Sequence, residues 1–302
     1  MYQNKFKMLM LMLGLIVITG CTHASDLKLL KENTFTVKSG ELLKAEAASG
    51  DVKVTAWDKS EVNVKIYGNQ KAEEEVEFVV EKTSEGVFVK AKKDGNWGNW
   101  FGSKNVRIRI EVMVPKTFDL NVSTAGGDVY HSGVSGKLKL STAGGDIKVN
   151  SGSGELRAST AGGDIKVNTF MGNCKLSTAG GDITSEKIKG EVDASTAGGD
   201  IKLEVADGKV EGSTAGGDIR IDYFGVYYGI KARTSGGDIA VRVPKDIKAD
   251  LYASTFSGDI DCDFDVNVTK KHSNSKIDGK VNGGGETLKC TTTGGDIKIA
   301  SR

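Results

Sequence analysis

Histidine is nearly missing from this chain: His23, His131 and His272 are the whole complement. His23 falls in a tether and His272 in a polar excursion, which leaves His131 alone beside the first full repeat. No nucleophile–base–orienter set can be assembled from that spacing. Net charge is equally sparse. The formal value is +1, and losing Lys5 and Lys7 with an acid-free leader takes it to about −1, so electrostatics make no case for nucleic acid. Cysteine is scarce too. Beyond Cys21 there are only Cys174, Cys262 and Cys290, all in the apolar phase of strands, where cysteine behaves as a small buried hydrophobe. That excludes a disulfide scaffold. Cys174 and Cys290 fall several coils apart and out of reach, while Cys262 and Cys290 could face each other on neighbouring coils, a pairing left open. The apolar run Met8–Ile18 is too short to span a membrane.

What the chain has instead is one phrase repeated. Ser-Thr-Ala-Gly-Gly-Asp ends at Asp128, Asp146, Asp164, Asp182, Asp200 and Asp218, a period of 18 residues without slippage. Weaker copies end at Asp238, Asp259 and Asp296, and an early one at Asp51. A fixed period of this length signals stacked repeats. Around each Ala-Gly-Gly corner apolar and polar residues alternate, the period of a strand with one buried face. Leu156, Ala158 and Thr160 point inward before the corner, and Ile165 and Val167 after it. The paired glycines are expected to supply corner backbone angles closed to other residues. A further glycine recurs at Gly136, Gly154, Gly172, Gly190, Gly208 and Gly229, giving two inward-facing strands and a short third side per repeat.

Stacked in chain order, the repeats form columns. One reads Leu138, Leu156, Cys174, Val192, Val210, Ile230, Leu251, Leu288; another runs from Val129 and Ile147 to Ile260 and Ile297. No single coil can bury these residues, but a stack buries them all. The sequence therefore specifies an all-β fold, a β-solenoid of parallel β-helix type built from 18-residue coils, with a less regular β N-terminal part.

Residues 1–20 read as a secretory leader, and the small residues before Cys21 are similar to a bacterial lipobox, at which that cysteine is lipidated. Thr22, where an aspartate would resemble an inner-membrane retention signal, points to the outer membrane. Residues 21–38 are expected as a tether, 39–122 as an N-terminal β region of degenerate coils that also caps one end, and 123–302 as the regular array. Pro115 ends the clearest half-buried strand, from Val106 onward.

Several of these features together resemble the bacterial putative-adhesin family of β-strand-repeat proteins. They are Ser49-Gly50-Asp51-Val52 followed by Trp57-Asp58, the Val114-Pro115 strand end, and the repeated Gly-Asp-Ile step. The ending matches as well, with Gly283-Gly284-Gly285 before Leu288 and Gly295-Asp296-Ile297. The resemblance covers roughly residues 35–300. It implies a solenoid-like all-β fold and an envelope or surface location; adhesion comes with the family's label.

The aspartate column requires explanation, because like charges at the inter-strand spacing of roughly 4.8 Å repel. A flanking basic row (Lys148, Lys166, Lys202, Arg220) and corner amides in an Asx-type arrangement are the expected remedies. Calcium is disfavoured, since one carboxylate per coil supplies too few of the six to eight oxygens it takes; no metal or cofactor is expected. The threonine column from Thr124 to Thr214 faces inward, unlike the paired outward threonines of ice-binding solenoids. Two aromatic groups stand out as partner contacts, Trp97, Trp100 and Phe101 in a glycine-rich loop, and Tyr223, Phe224, Tyr227 and Tyr228 in an insertion. The alternative is that they fold back over an exposed edge. The leading expectation is a non-enzymatic envelope lipoprotein that serves as an adhesin or rigid binding scaffold, held to the membrane by its anchor and read by a glycan or envelope protein. An envelope-stress or signalling module that binds a membrane protein is the second. A polysaccharide-active enzyme is the third, weakened by corners too tight to frame a cleft.

Overall fold

Alternation along the chain becomes register between coils. Strands Ile147–Ser159 and Ile165–Ser177 pair in parallel, with Ile147 opposite Ile165, Leu156 opposite Cys174 and Ser159 opposite Ser177. The structure is a computed structural model that describes residues 27–93, 105–268 and 275–302. The leader, Cys21, Trp97, Trp100 and Phe101 lie outside the described residues.

Both faces flanking the corner carry buried columns, as the pattern requires. After it stand Val52, Val129, Ile147, Ile165, Ile183, Ile201, Ile219, Ile239 and Ile297; before it stand Leu120, Leu138, Leu156, Cys174, Val192, Val210, Ile230 and Leu288. Each such side chain contributes about 1.5–3 kcal/mol by leaving water. A third column lies on the short side: Val134, Gly152, Phe170, Ile188, Val205 and Tyr223. Gly152 makes room there, because a Cβ on it would stand 3.0 Å from the Phe170 ring. The side is no separate strand, since Ile147–Ser159 runs through it unbroken. The chain turns at Gly154 and Gly172, whose φ angles of +108° and +133° exclude most side chains.

The corner glycines work differently from expectation. Gly180 and Gly181 have no left-handed φ. A Cβ on Gly181 would sit 2.1 Å from the Gly163 carbonyl oxygen of the coil before, whereas one on Gly180 would meet nothing nearer than 3.7 Å. Close approach of backbones, not turn conformation, fixes the second glycine.

Spatial order departs from chain order at both ends. Glu286–Thr291 lies between Ile230–Arg233 and Ala249–Ser254, and Ile297–Ser301 between Ile239–Val243 and Ile260–Cys262. The last coil in sequence is therefore an interior coil, and Leu288 stacks between Ile230 and Leu251. The N-terminal side mirrors this: Leu42–Ala47 lies between Gly86–Lys93 and Asp119–Thr124, and Asp51–Trp57 between Ile108–Pro115 and Val129–Ser132.

Antiparallel strands close the ends. Lys28–Thr36 pairs with Glu61–Gly68, which pairs with Ile108–Pro115, while Val76–Lys82 covers Gly86–Lys93. Much of the expected tether is thus a strand of the cap. A helix over Gln70–Glu75, started by the Asn69 side chain accepting the Ala72 amide at 3.1 Å, tucks Ala72 inside. At the other end Lys276–Val281 flanks Ala249–Ser254. Charged residues on the outer strands, Lys28, Glu32, Glu77 and Glu81 among them, discourage further strand addition.

Candidate functional site

Two ladders stitch the corners. Each threonine hydroxyl donates to the carbonyl of a glycine one coil back: Thr142 to Gly127 at 2.8 Å, Thr160 to Gly145 and Thr178 to Gly163 at 2.9 Å. The same oxygen accepts its own corner's second glycine amide, Gly181 to Thr178 at 3.3 Å. These threonines are buried, so the inward column is a hydrogen-bonded spine and not mere filling.

The aspartates form the second ladder. Asp128 Oδ1 accepts the main-chain amide of Asp146, Asp146 that of Asp164, and Asp164 that of Asp182, at 2.8–3.0 Å. The file runs from Asp51 to Asp238, then to Asp296 and finally Asp259. The stabilising donor is the next coil's amide, not the residue's own corner. The Asp164 amide, more than the Lys148 ammonium at 3.3 Å, holds the Asp146 carboxyl below its ordinary range. The expected basic row is largely engaged elsewhere: Lys166 pairs with Glu186 at 2.9 Å and Arg220 with Asp222 at 3.2 Å.

The aromatic insertion divides into core and surface. Tyr223 is fully buried in the third column, its hydroxyl accepting the amides of Gly208 at 3.1 Å and Tyr228 at 3.2 Å and lying 2.7 Å from the Val226 carbonyl. Tyr227 packs edge-on against it, with centroids 5.4 Å apart, and its hydroxyl donates to Thr287. Burial raises the phenol pKa of both above the usual value. Tyr223 is not available as a partner contact, because it fills the space an insertion would otherwise leave open, whereas Tyr227 is only partly buried. Phe224 and Tyr228 do reach the surface, 36% and 50% exposed, and Phe224 lies under the Arg302 guanidinium at 3.6 Å.

Among the described residues, the histidine and two of the three cysteines are sealed. His131 is fully buried with no hydrogen bond to either ring nitrogen, and burial pushes its pKa down to about 4. Cys174 and Cys290 are free, buried thiols pushed up to about 12. Cys262 is free as well, so it forms no disulfide with Cys290. Among the described residues no group of acids, histidines and cysteines is placed to hold a metal.

A surface feature absent from the sequence reading lies where the last coil inserts. Lys231, Lys289 and Tyr252 stand in one outward row across three adjacent coils, and Arg233, Thr291 and Ser254 in the next. With Thr293, all of these but Ser254 line a shallow groove of about 420 Å³. The Lys289 and Lys276 ammoniums lie 5.4 and 5.2 Å from the Tyr252 ring centroid. Lys231 and Lys289 look far apart in the sequence, and only the insertion of the final coil makes them neighbours. Phe256, 86% exposed at a corner that carries alanine in the six regular repeats, could have been found from the broken motif.

Residues 41–300 match the family described as Toastrack DUF4097. No curated protein sequence matches the chain. Two solved structures share the architecture. A putative adhesin from Parabacteroides distasonis aligns at a TM-score of 0.52 with 13% identity, over 90% of this chain and 97% of its own. A putative adhesin from Parabacteroides merdae aligns at 0.53 with 12% identity, over 91% and 97%. At such identities the likeness is one of fold.

Proposed function

Since the chain belongs to the Toastrack DUF4097 family, we propose that it is a non-enzymatic lipoprotein of the cell envelope whose solenoid is a rigid platform for binding, as in an adhesin. The observation that carries this reading is the continuity of the stack. Main-chain pairing, the threonine spine and the aspartate file join the coil ending at Asp51 to the coil ending at Asp259 without a break. Such a body holds surface side chains at fixed spacing and has little freedom to close over a substrate. The sole histidine among the described residues is sealed and neutral, which removes that residue as a surface general base. The names of the two fold relatives agree with a binding role. Anchoring is proposed through Cys21, with the solenoid held outside the cytoplasm at the outer membrane.

Protease treatment of intact cells, with Cys21→Ala alongside, tests the reading. Digestion of the parent protein without lysis, and release of the variant from membranes, is the expected result. Protection until lysis would end the adhesin form of the proposal, and unchanged membrane association of the variant would end the anchor.

A further inference from the structure

We infer that the groove beside Tyr252 is a binding site for an acidic polysaccharide, a chain of carboxylate-bearing sugars. The inference rests on the platform reading above and names its ligand class. The groove has a structural origin. In the regular coils the outward position before the corner threonine is serine, as at Ser195 and Ser213; at the insertion it becomes Arg233, then Thr291. Short hydroxyl side chains thus floor a depression that Arg233, Lys231, Lys289 and Tyr252 wall.

Charge on this face is matched along the regular coils and at Lys231 on the groove's edge, which leaves Arg233 and Lys289 in the groove. Lys175 pairs with Asp193 at 3.1 Å, Arg157 with Glu155 at 2.7 Å, and Glu211 takes both Lys209 at 2.7 Å and Lys231 at 3.2 Å. In this row Glu211 is followed by Lys231, Lys289 and Tyr252, and acids return beyond it at Asp278 and, one outward position before Tyr252, at the exposed Asp250. Among the described residues no carboxylate makes an ion pair with Arg233 or Lys289, although Asp278 faces Tyr252 from the adjoining antiparallel strand. Arg233 is exposed.

Each lining group suits one part of an acidic sugar. A guanidinium fork takes a carboxylate in two parallel hydrogen bonds. Tyr252 is half-buried, with the Lys276 and Lys289 ammoniums 5.2 and 5.4 Å from its ring centroid, which places an aromatic surface beside cations. Thr291 and Thr293 offer hydroxyls that donate to or accept from sugar hydroxyls. A volume of about 420 Å³ falls in the range of small-ligand sites. The near-neutral chain argues against a general polyanion binder, for which charge would spread over a whole face.

The test uses the full chain in detergent micelles, with immobilised polygalacturonate, its methyl ester, dextran sulfate and single-stranded DNA as probes. Polygalacturonate is expected to be retained and its methyl ester to bind at least tenfold more weakly. Arg233→Ala with Lys289→Ala, and separately Tyr252→Ala, should each weaken binding tenfold or more. Tyr252→Phe should bind like the parent, as should Lys139→Ala, which removes a cation from the same sheet face outside the groove. Equal melting temperatures of the variants would establish that the fold is intact. No retention of polygalacturonate, equal binding by the groove variants, or equal binding of DNA or dextran sulfate would overturn the assignment. Cells that adhere normally through the double variant would remove the groove while leaving the platform standing.

Discussion

The carboxylate of Asp238 accepts the main-chain amide of Asp296 at 2.8 Å, although 58 residues separate them in the chain. Asp296 in turn accepts the amide of Asp259 at 2.9 Å. The final coil is therefore a wedge between two coils already made, and it pairs on both edges. Removing residues 286–302 strips parallel partners from Ile230–Arg233, Ile239–Val243, Ala249–Ser254 and Ile260–Cys262 at once. The truncated chain should lose cooperative unfolding and aggregate through the exposed edges. Deleting residues 165–182, one whole coil, should instead leave a folded solenoid, because Ile183 then takes the place of Ile165 against Ile147. Thermal melts and size-exclusion chromatography check this pair. A truncated chain that melts like the parent would mean the wedge is dispensable.

Hydrogen bonding more than charge pairing relieves the aspartate file, and that separates two substitutions that both remove the charge. Asp164→Asn keeps an oxygen for the Asp182 amide, now at 2.8 Å, and should change stability by no more than a few tenths of a kcal/mol. Asp164→Ala leaves that amide to water and should cost about 1 kcal/mol. The buried spine is the more sensitive ladder. Thr178→Val strands the Gly163 carbonyl and the Gly181 amide together and should cost about 2–3 kcal/mol. Chemical denaturation measures all three, and a Thr178→Val chain as stable as Asp164→Asn would refute the spine.

The two glycines of a corner should respond oppositely to alanine. Gly180→Ala adds a methyl that meets nothing closer than 3.7 Å, and should be neutral or slightly stabilising by restricting the unfolded chain. Gly181→Ala drives a methyl to 2.1 Å from the Gly163 oxygen, so the coils must part and several kcal/mol should be lost. Equal melting temperatures for the two variants would contradict the close approach.

The solenoid was legible because its information is local and repeated. Alternation gives the strand faces, and the period places Ile165 over Ile147 without any long-range guess. The threonine and aspartate roles were half legible. Their phase shows in the sequence, but their partners belong to the neighbouring coil, and an Asx turn within one corner satisfies the same local pattern. The wedge was illegible, because the columns look alike in either order: Leu251 and Leu288 are both leucine, and nothing local says which one stacks on Ile230. The groove inherits that difficulty, since Arg233 and Tyr252 become near neighbours only when the last coil comes between them. The insertion misled for a different reason. Aromatics in a motif break look like surface contacts, yet Tyr223 continues the inward column of Phe170 and Ile188.

His131 gives the fold an acid limit that the carboxylates do not explain. It occupies the inward column between Val54 and Val149, with Gly152 and the Phe170 ring close by. Its ring nitrogens have no hydrogen bond, and the Val134 backbone offsets only part of the burial that lowers its pKa from 6.5 to about 4. The unfolded chain thus binds a proton between pH 6.5 and 4 that the folded chain refuses, and stability falls as pH falls through that window. At 1.36 kcal/mol per pH unit the full loss is about 3 kcal/mol, complete near pH 4. Lowered carboxyls such as Asp146 add their own loss at still lower pH, below the ordinary carboxylate range. His131→Val restores the valine that this column carries on either side, and should flatten the dependence between pH 6.5 and 4.5 without lowering stability at pH 7.5. Urea denaturation at half-unit pH steps measures the slope. A slope unchanged by the substitution would assign the acid sensitivity to other groups and show that His131 is protonated inside the fold.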